Sequence, residues 1–336
     1  MNKLQIPKNY KNKLDLISTE KAIKFVKDNF ERLLAKSLNL TRVSAPILVL
    51  SDTGINDDLN GVERTVRFYV LGLDGQNAEI VHSLAKWKRT ALKKYGFSSN
   101  SGLYTDMNAI RRDDNMDNIH SIYVDQWDWE RVIEKSQRNV RFLKSIVRKI
   151  VNAIYKVNEL TKKAFPELSL NINKDVVFIT AKQAEKLYPN LSSKEREHAL
   201  AKEFGTVFLM GIGSKLKSGK PHDGRAPDYD DWKLNGDLLV YNEVLGESLE
   251  LSSMGVRVDE ISIVKQLKER KMLEKLNFDY HKQIVEKKLP LTIGGGIGQS
   301  RLCMYILQKA HIGEVQVSLW PQGLEEEAKK GGIDIL

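Results

Sequence analysis

The stretch TIGGGIGQSRL, residues 292–302, carries more information than any other part of the sequence. Glycine occupies four of the five positions 294–298, and glycine lets a backbone approach a ligand closely in conformations closed to other residues. Arg301 follows on the first turn of a predicted apolar helix, so its permanently charged guanidinium can face the same ligand. The pattern predicts a glycine-rich turn at a nucleotide polyphosphate. Taken alone, the glycines favour a purely structural turn, because their spacing fits neither the P-loop nor the dinucleotide fingerprint.

The composition is that of an ordinary globular enzyme. Of the 336 residues, 41% are hydrophobic and 29% are charged, close to the averages of folded domains. With no repeat, linker or break in composition, one catalytic domain over residues 1–336 is the simplest interpretation. No apolar run approaches the roughly eighteen residues of a membrane span, and the basic first residues do not continue into a signal peptide. We therefore expect a cytoplasmic protein with no membrane partner.

A formal net charge of +9 raises the question of a nucleic-acid partner. Residues 134–163 form a predicted helix in which Arg138, Arg141, Lys144 and Arg148 make a basic stripe beside an apolar face. Such a stripe can follow a phosphate backbone. It is also typical of the solvated face of a long helix, which we favour because no aromatic residues are interleaved for base stacking. Nucleic acid is therefore not expected as a partner.

The remaining pattern indicates a helix followed by many short strands. Ser18 or Thr19 can cap an opening helix whose apolar residues recur every three or four positions. The segment TRVSAPILVL (41–50) predicts a strand at a sheet edge or at an interface, because Pro46 cannot donate a ladder hydrogen bond. Further strands are predicted at 65–71, 79–81, 119–127, 176–180, 207–210, 238–241, 249–252 and 315–319. Short polar turns favour hairpins, so the predicted fold is α+β with a mixed, mostly antiparallel sheet flanked by helices.

Three separated segments resemble the motifs of class II aminoacyl-tRNA synthetases. The opening helix and the strand with Pro46 resemble the first motif, which forms the dimer interface in that family, so a homodimer is implied. The segment IRRDDNMDNIHSIYVDQWDWE (110–130) resembles the second motif, a strand ending in arginine, a loop and a returning strand. The segment GGGIGQSRLCM (294–304) resembles the third. The likeness is greatest to the aspartyl and asparaginyl enzymes, and it implies their core fold.

Six longer matches narrow the resemblance to the ammonia-dependent asparagine synthetases, the asparagine synthetase A family. They are HSLAKWKR (82–89), HSIYVDQWDWER (120–131), RAPDYDDW (225–232), LNGDLLV (234–240), ELSSMGVRVD (250–259) and TIGGGIGQSRL (292–302). They occur in order and cover nearly the whole chain. Two departures from the tRNA synthetases agree with this family. No separate anticodon-binding domain is expected, and Ser300 stands where aspartyl-type synthetases usually carry an aspartate.

The resemblance implies that ATP activates the side-chain carboxylate of L-aspartate as β-aspartyl-AMP, from which ammonia displaces AMP to give asparagine. Such chemistry needs positioning and positive charge around the phosphates more than a protein nucleophile. The implied catalytic residues are Arg111, which would hold the α-phosphate, Arg301, which would contact the γ-phosphate or pyrophosphate, and Lys88. Free ammonia is expected over glutamine, since Cys303 is the one cysteine and its helix favours burial.

The nucleotide half of the implied site combines a loop with two acids. By resemblance, Arg225, Tyr229 and Asp230 lie in a loop over the nucleotide. Asp237, at the end of an LNGD turn, and Glu250, at the start of the next strand, resemble the acids that hold Mg²⁺ on ATP phosphates. The alternative is a plain surface loop with ordinary turn and edge acids.

The aspartate half of the implied site is more widely spread along the chain. The family positions near the substrate are Asp57, Ser83, Lys88, Gln126, Asp128, Ser252, Ser253, Arg257 and Gly294. Arg257 and Lys88 offer positive charge to the α-carboxylate, whereas Asp57, Gln126 and Asp128 would receive the ammonium group. Asp57 also suits a turn for purely local reasons.

Two other functions remain open at this point. One is a tRNA-directed aspartyl or asparaginyl synthetase paralogue, helped by the basic helix. The other is a catalytically silent binding module on the same fold. The second is disfavoured because Arg111, Asp237, Glu250 and Arg301 are all present. The six histidines show no metal-ligand spacing and are given no catalytic role.

Overall fold

A computed structural model describes residues 4–59 and 61–336, which form eleven strands and nine α-helices. The strands are β1 (Leu40–Arg42), β2 (Leu48–Leu50), β3 (Arg67–Tyr69), β4 (Asn77–Ile80), β5 (Gly102–Ile110), β6 (Tyr123–Val132), β7 (Val177–Thr180), β8 (Thr206–Met210), β9 (Asp230–Asn242), β10 (Glu247–Arg257) and β11 (Thr292–Gly298). The helices are α1 (Leu16–Leu38), α2 (Ala85–Lys94), α3 (Val140–Ala164), α4 (Ala181–Leu187), α5 (Ser193–Phe204), α6 (Glu260–Glu269), α7 (Asp279–Val285), α8 (Gln299–Ile306) and α9 (Leu324–Lys330).

The sheets confirm the predicted mixed, mostly antiparallel arrangement. Eight strands form one sheet in the order β1-β5-β6-β11-β10-β9-β8-β7, and β2-β4-β3 form a small second sheet. The β1–β5 and β7–β8 pairs at the two ends are parallel, whereas the pairs between them are antiparallel. The predicted hairpin around residues 238–252 is the long β9–β10 pair.

The helices α1, α3 and α8 cover one face of the large sheet with the main hydrophobic core. Trp127 and Trp129 of β6 are fully buried in this core, and the ring centroid of Trp127 lies 4.7 Å from that of Phe30 in α1. Side chains alternate between the faces of a strand, so Gln126 and Asp128 belong to the opposite face. That face is polar at the middle of the sheet, and the candidate site lies there.

The first helix and strand differ from the predictions in detail. The cap of α1 is Asp15, whose carboxylate accepts a hydrogen bond from the Ser18 amide at 2.7 Å, so the predicted cap at Ser18 or Thr19 is wrong. The single strand predicted for residues 41–50 is two strands, β1 and β2, which belong to different sheets. Pro46 lies between them. The predicted edge position is confirmed for both strands, because β1 lies at one edge of the large sheet and β2 at one edge of the small sheet.

Three other predicted strands need correction. Residues 315–319 form no strand: the Val315 amide donates to the Ile312 carbonyl at 3.1 Å in a 3₁₀ turn, and no described strand pairs with the segment. The strand predicted at 119–127 begins only at Tyr123, since Asp117 Oδ1 accepts from the amides of 119 and 120 and closes a turn. The strand predicted at 65–71 is limited to β3, and a short 3₁₀ helix begins at residue 71.

The basic stripe of α3 is only partly a solvated face. Arg141 and Arg148 are exposed, but Arg138 precedes the helix and its Nη2 lies 2.8 Å from the Asp231 carboxylate. The Lys144 amine and the Arg148 guanidinium lie 5.0 and 4.8 Å from the centre of the Phe178 ring. Part of the positive charge is therefore used within the fold. None of the helices described is long and apolar enough to cross a membrane.

Candidate active site

The glycine run forms a central strand of the large sheet, so the predicted turn at residues 294–298 is wrong. In the register of β11 with β6, Gly294 is opposite Glu130 and Gly296 is opposite Asp128. A Cβ on Gly294 would lie 1.8 Å from Glu130 Oε2, and one on Gly296 would lie 2.4 Å from Gln126 Oε1. The glycines are needed because polar side chains of the neighbouring strand lie over this backbone.

A cleft of about 360 Å³ lies over β6, β11, β10 and β9, with β11 as its floor. It brings together nearly all of the residues singled out in the sequence: Asp57, Ser83, Lys88, Arg111, Gln126, Asp128, Arg225, Tyr229, Asp230, Asp237, Glu250, Ser252, Ser253, Arg257 and Arg301. Gly294 does not line the cleft. Its missing side chain leaves the space that Glu130 and Arg257 fill beside it.

Arg257 is the best-anchored cation of the cleft. Its Nε lies 3.0 Å from both Glu130 carboxylate oxygens, and its Nη1 lies 2.5 Å from Asp230 Oδ1. Burial opposes the charge of this guanidinium, but Glu130 and Asp230 hold its pKa well above the ordinary value. Glu130 also accepts from the Thr292 hydroxyl at 2.6 Å. Arg257 is thus held in one position by two buried acids.

Lys88 and Asp128 fix each other on the floor of the cleft. The Lys88 amine donates to the Gly295 carbonyl at 2.9 Å and lies 3.4 Å from Asp128 Oδ2. Burial lowers the pKa of Lys88, although Asp128 opposes the change. Asp128 also accepts from the Leu84 amide, at the start of α2, at 3.1 Å.

The Asp57 carboxylate has both a local and a long-range partner. Its Oδ1 accepts from the Leu59 amide at 2.8 Å, which is the turn expected of aspartate in such a sequence. Its Oδ2 accepts from the Ser83 hydroxyl at 2.7 Å. Asp57 therefore joins the loop between β2 and β3 to the start of α2, and both Asp57 and Ser83 face the cleft.

The loop before β9 is packed into the cleft and is not a plain surface loop. Arg225 Nη2 lies 2.5 Å from Asp237 Oδ1, and its Nη1 donates to the Ser253 hydroxyl. Tyr229 is buried as well. Asp230 is the first residue of β9.

The two acids of the nucleotide half lie inside strands. Asp237 stands within β9 opposite Ser253, so the predicted LNGD turn is wrong, and Glu250 lies within β10 next to a bulge. Burial raises the pKa of Asp237 to about 7, an effect that Arg225 opposes and Glu250 increases. Burial also disfavours the charged form of Glu250, but Arg301 and Lys194 hold its pKa below the ordinary value. Two neighbouring carboxylates in this setting can accept a cation.

Two further arginines border the cleft, and among the described residues neither forms a hydrogen bond with a carboxylate. Arg111 follows directly after β5, as the second motif implied, and its Nη2 donates to the His82 carbonyl at 3.2 Å. Arg301 is on the first turn of α8, as predicted, and its Nη1 donates to the Glu250 carbonyl at 3.1 Å. Both guanidiniums are placed by carbonyl groups, so each can still pair with the charge of a ligand, although Arg301 also offsets the charge of Glu250.

Comparison with known proteins shows the family to which the chain belongs. A sequence profile of the family described as aspartate-ammonia ligase matches residues 17–332. The chain is 58% identical to an aspartate–ammonia ligase of Clostridium tetani, over 99% of this chain and 98% of that protein. It is 55% identical to an aspartate–ammonia ligase of Ruminiclostridium cellulolyticum, over the full length of both.

The chain belongs to the aspartate–ammonia ligase family. It is therefore an enzyme, a ligase of asparagine biosynthesis, and the relatives support this function over the tRNA-directed alternative.

Among solved structures, asparaginyl-tRNA synthetase of Pyrococcus horikoshii complexed with asparaginyl-adenylate is similar to this chain. The TM-score is 0.65 at 16% identity, over 90% of this chain and 70% of that one. The asparaginyl-tRNA synthetase of Entamoeba histolytica gives a TM-score of 0.64 at 14% identity, over 90% and 66%. The predicted class II synthetase fold is confirmed.

Several polar residues around the ligase cleft were not predicted from the sequence as part of the site. Glu130 could have been found, because it continues the alternation of Gln126 and Asp128 along one face of β6. Asp125 Oδ1 accepts from the Ser300 amide at 3.0 Å and so anchors the start of α8. No local signal pointed to that contact, because 175 residues separate the two partners.

A buried ionic cluster behind the cleft was also missed. The Lys86 amine lies 2.9 Å from Asp228 Oδ2, and His281 Nε2 lies 3.0 Å from the same oxygen. The side chains of all three residues are fully buried. Lys86 also donates to the Gly54 carbonyl at 3.0 Å. The cluster therefore ties α2 and α7 to the loops that carry Asp57 and Arg225.

Proposed function

We propose that this ligase converts L-aspartate, ammonia and ATP to L-asparagine through β-aspartyl-AMP, releasing AMP and pyrophosphate. The observation that carries the proposal is that one cleft has two ends along β10. Arg257 ends β10, with Lys88 bonded to Gly295 near it, and Glu250 stands seven residues earlier, with Arg301 bonded to its carbonyl. The first end suits an amino acid, and the second suits a nucleotide polyphosphate.

The first end suits the backbone groups of aspartate. Arg257 and Lys88 supply positive charge for the α-carboxylate, and a guanidinium can bind a carboxylate through two parallel hydrogen bonds. Asp57, Gln126 and Asp128 supply oxygen acceptors for the α-ammonium. Ser252 and Ser253 lie between the two ends on β10. Aspartate held in this way directs its side-chain carboxylate towards the nucleotide.

The second end suits ATP with Mg²⁺. No group of three or more metal-binding side chains occurs in the described residues, but Mg²⁺ on ATP takes only one or two carboxylates beside water and phosphate oxygens. Asp237 is a buried oxygen donor and Glu250 a half-buried one, and a cation between them would offset the negative charge of both carboxylates. When bound, Mg²⁺ neutralises phosphate charge. Arg225, with Tyr229 and Asp230 beside it, stands over the same end.

During the reaction, the residues of the cleft stabilise the charge of the phosphates and hold the reacting groups in position. An aspartate side-chain oxygen attacks the α-phosphorus, and the bond to the pyrophosphate oxygen breaks. Arg111 would hold the α-phosphate oxygens, and Arg301 would stabilise the leaving pyrophosphate. The nitrogen lone pair of ammonia next attacks the activated carbonyl carbon, the bond to the AMP oxygen breaks, and the nitrogen gives up a proton. Lys88 would keep the acyl group aligned from the cleft floor, which favours this step by orientation.

A single assay tests the proposal. The purified protein, with no RNA added, should form asparagine and equal amounts of AMP and pyrophosphate from aspartate, ATP and ammonium. Ammonia-free glutamine should replace ammonium poorly, because Cys303 is fully buried and burial raises its pKa to about 12, whereas a nucleophilic cysteine must be a thiolate. Activity that requires tRNA, or that uses glutamine efficiently, would contradict the proposal.

Replacing Glu250 by glutamine tests the metal assignment. The amide keeps an oxygen but loses the charge that holds the cation, so the Mg²⁺ concentration for half-maximal rate should rise several-fold. Glu203→Gln is the matched control, because Glu203 is exposed on α5 and bonds only Tyr188 among the described side chains. A magnesium titration that is the same for Glu250→Gln and the control would remove Glu250 from the metal site.

We also propose that the ligase is a cytoplasmic homodimer with one catalytic domain per chain. Ile47, Leu48 and Leu50, in the segment that resembles the first motif, are large apolar residues at least 41% exposed. Exposed apolar residues grouped in this way are typical of an interface between subunits. Light scattering would then give twice the chain mass of 38.3 kDa, and a monomeric mass would contradict the dimer.

A further inference from the structure

Lys194 is a cation at the nucleotide end of the cleft that has no part in the function proposed so far. It stands on the first turn of α5 and lines the same cleft as Asp237 and Glu250. Helix α5 packs against β9 and β10, the strands that carry those two acids. Lys194 belongs to no recognisable sequence motif, because the residues around it are ordinary for a helix and Asp237 follows only 43 positions later.

Two acids hold the Lys194 amine at the edge of the cleft. Its Nζ lies 3.0 Å from Glu197 Oε2 and 3.7 Å from Asp223 Oδ2. Glu197 is itself anchored, because its other oxygen lies 3.0 Å from the buried Nε2 of His222. An ammonium has three N–H donors, and a separation of 3.7 Å is too long for a hydrogen bond. The side chain is 68% exposed, so a ligand in the cleft can reach its remaining donors.

Lys194 and Arg301 line the same cleft as Glu250. Arg301 Nη1 donates to the Glu250 carbonyl at 3.1 Å, and α5, which carries Lys194, packs against β10, which carries Glu250. The nucleotide end is therefore bordered by Arg301 from α8 and by Lys194 from α5. A polyphosphate chain at Glu250 would lie within reach of both charges.

We propose that Lys194 binds the β- or γ-phosphate of ATP, and afterwards the pyrophosphate that ATP releases. The inference rests on the proposed adenylation reaction and adds a residue to its nucleotide site. A lysine ammonium is a compact charge on a flexible stem, so it can follow the phosphates as the bond to the α-phosphorus breaks. AMP lacks these phosphates and does not contact Lys194.

The test compares ATP, pyrophosphate and AMP on the Lys194→Ala enzyme. We expect the KM for ATP in asparagine synthesis, and for pyrophosphate in aspartate-dependent ATP–pyrophosphate exchange, to rise about tenfold, the usual effect of one lost hydrogen bond to a charged group. The KM for aspartate and the Kd of AMP should stay within about twofold of the parent values by the same reasoning. Lys194→Arg should restore most of the ATP affinity.

Lys202→Ala is the matched control, because Lys202 is exposed in the last turn of the same helix. Its KM for ATP should equal that of the parent enzyme. An unchanged KM for ATP in Lys194→Ala, or a loss of AMP affinity as large as the loss for ATP, would overturn the assignment. If Lys194→Ala folds poorly, Lys194→Gln gives the same readouts. A parent enzyme that forms no AMP from aspartate and ATP would overturn the proposed function instead.

Discussion

Replacing Arg301 by alanine should lower kcat by about 10²–10³-fold, because loss of one preorganised donor to developing charge has an effect of that size. The fold should remain intact. Arg301 is half-buried and bonds the carbonyls of Ile119 and Glu250, and Lys194 remains to offset the Glu250 charge when Arg301 is removed. Arg111→Ala should behave similarly, since Arg111 Nη2 is bonded to the His82 carbonyl.

Two quantities should be measured for both arginine variants. They are kcat, from steady-state kinetics with a coupled pyrophosphate assay, and the melting temperature. Arg141→Ala is a suitable control, because Arg141 is exposed on α3 outside the cleft and its loss should change neither quantity. A near-normal rate of pyrophosphate release by Arg301→Ala, at an unchanged melting temperature, would show that Arg301 does not stabilise the phosphates.

Gly294→Ala should abolish asparagine synthesis and lower the melting temperature. The new Cβ would lie 1.8 Å from Glu130 Oε2 and 2.8 Å from Arg257 Nη2, so the buried Glu130–Arg257 ion pair has to separate. Breaking a buried pair destabilises a protein by about 3–5 kcal/mol, a large part of the roughly 5–15 kcal/mol that holds a domain folded. Loss of the pair also misplaces Arg257, the proposed partner of the α-carboxylate of aspartate.

Thermal unfolding and the KM for aspartate would check this prediction. Gly72→Ala is the matched control, because a Cβ at Gly72 meets no atom within 4 Å and its backbone lies outside the left-handed region. The control should keep both the parent melting temperature and the parent kinetics. Parent-like behaviour of Gly294→Ala would mean that the Glu130–Arg257 pair is not needed at this position.

Much of the candidate site could be predicted from the sequence, because residue type and spacing carry its chemistry. Gln126 and Asp128 alternate with tryptophans, and alternation along a strand is enough to place them on one face. Arg111 and Arg301 follow a strand and begin a helix in recognisable motifs, and the structure has them there. Family membership was equally accessible, since the matches span nearly the whole chain. The roles of the individual residues stay predictions.

The tertiary structure was required where a residue's conformation depends on distant neighbours. Four glycines in five positions favour a turn locally, yet β11 is a strand because β6 and β10 bind its backbone on both sides. The same holds for Asp237, whose turn-like sequence pairs with β10. Lys194 and the Lys86–Asp228 pair enter the cleft region only through helix and loop packing. Local sequence therefore determined which chemical groups this ligase has, whereas long-range strand pairing and burial decided their partners and their charges.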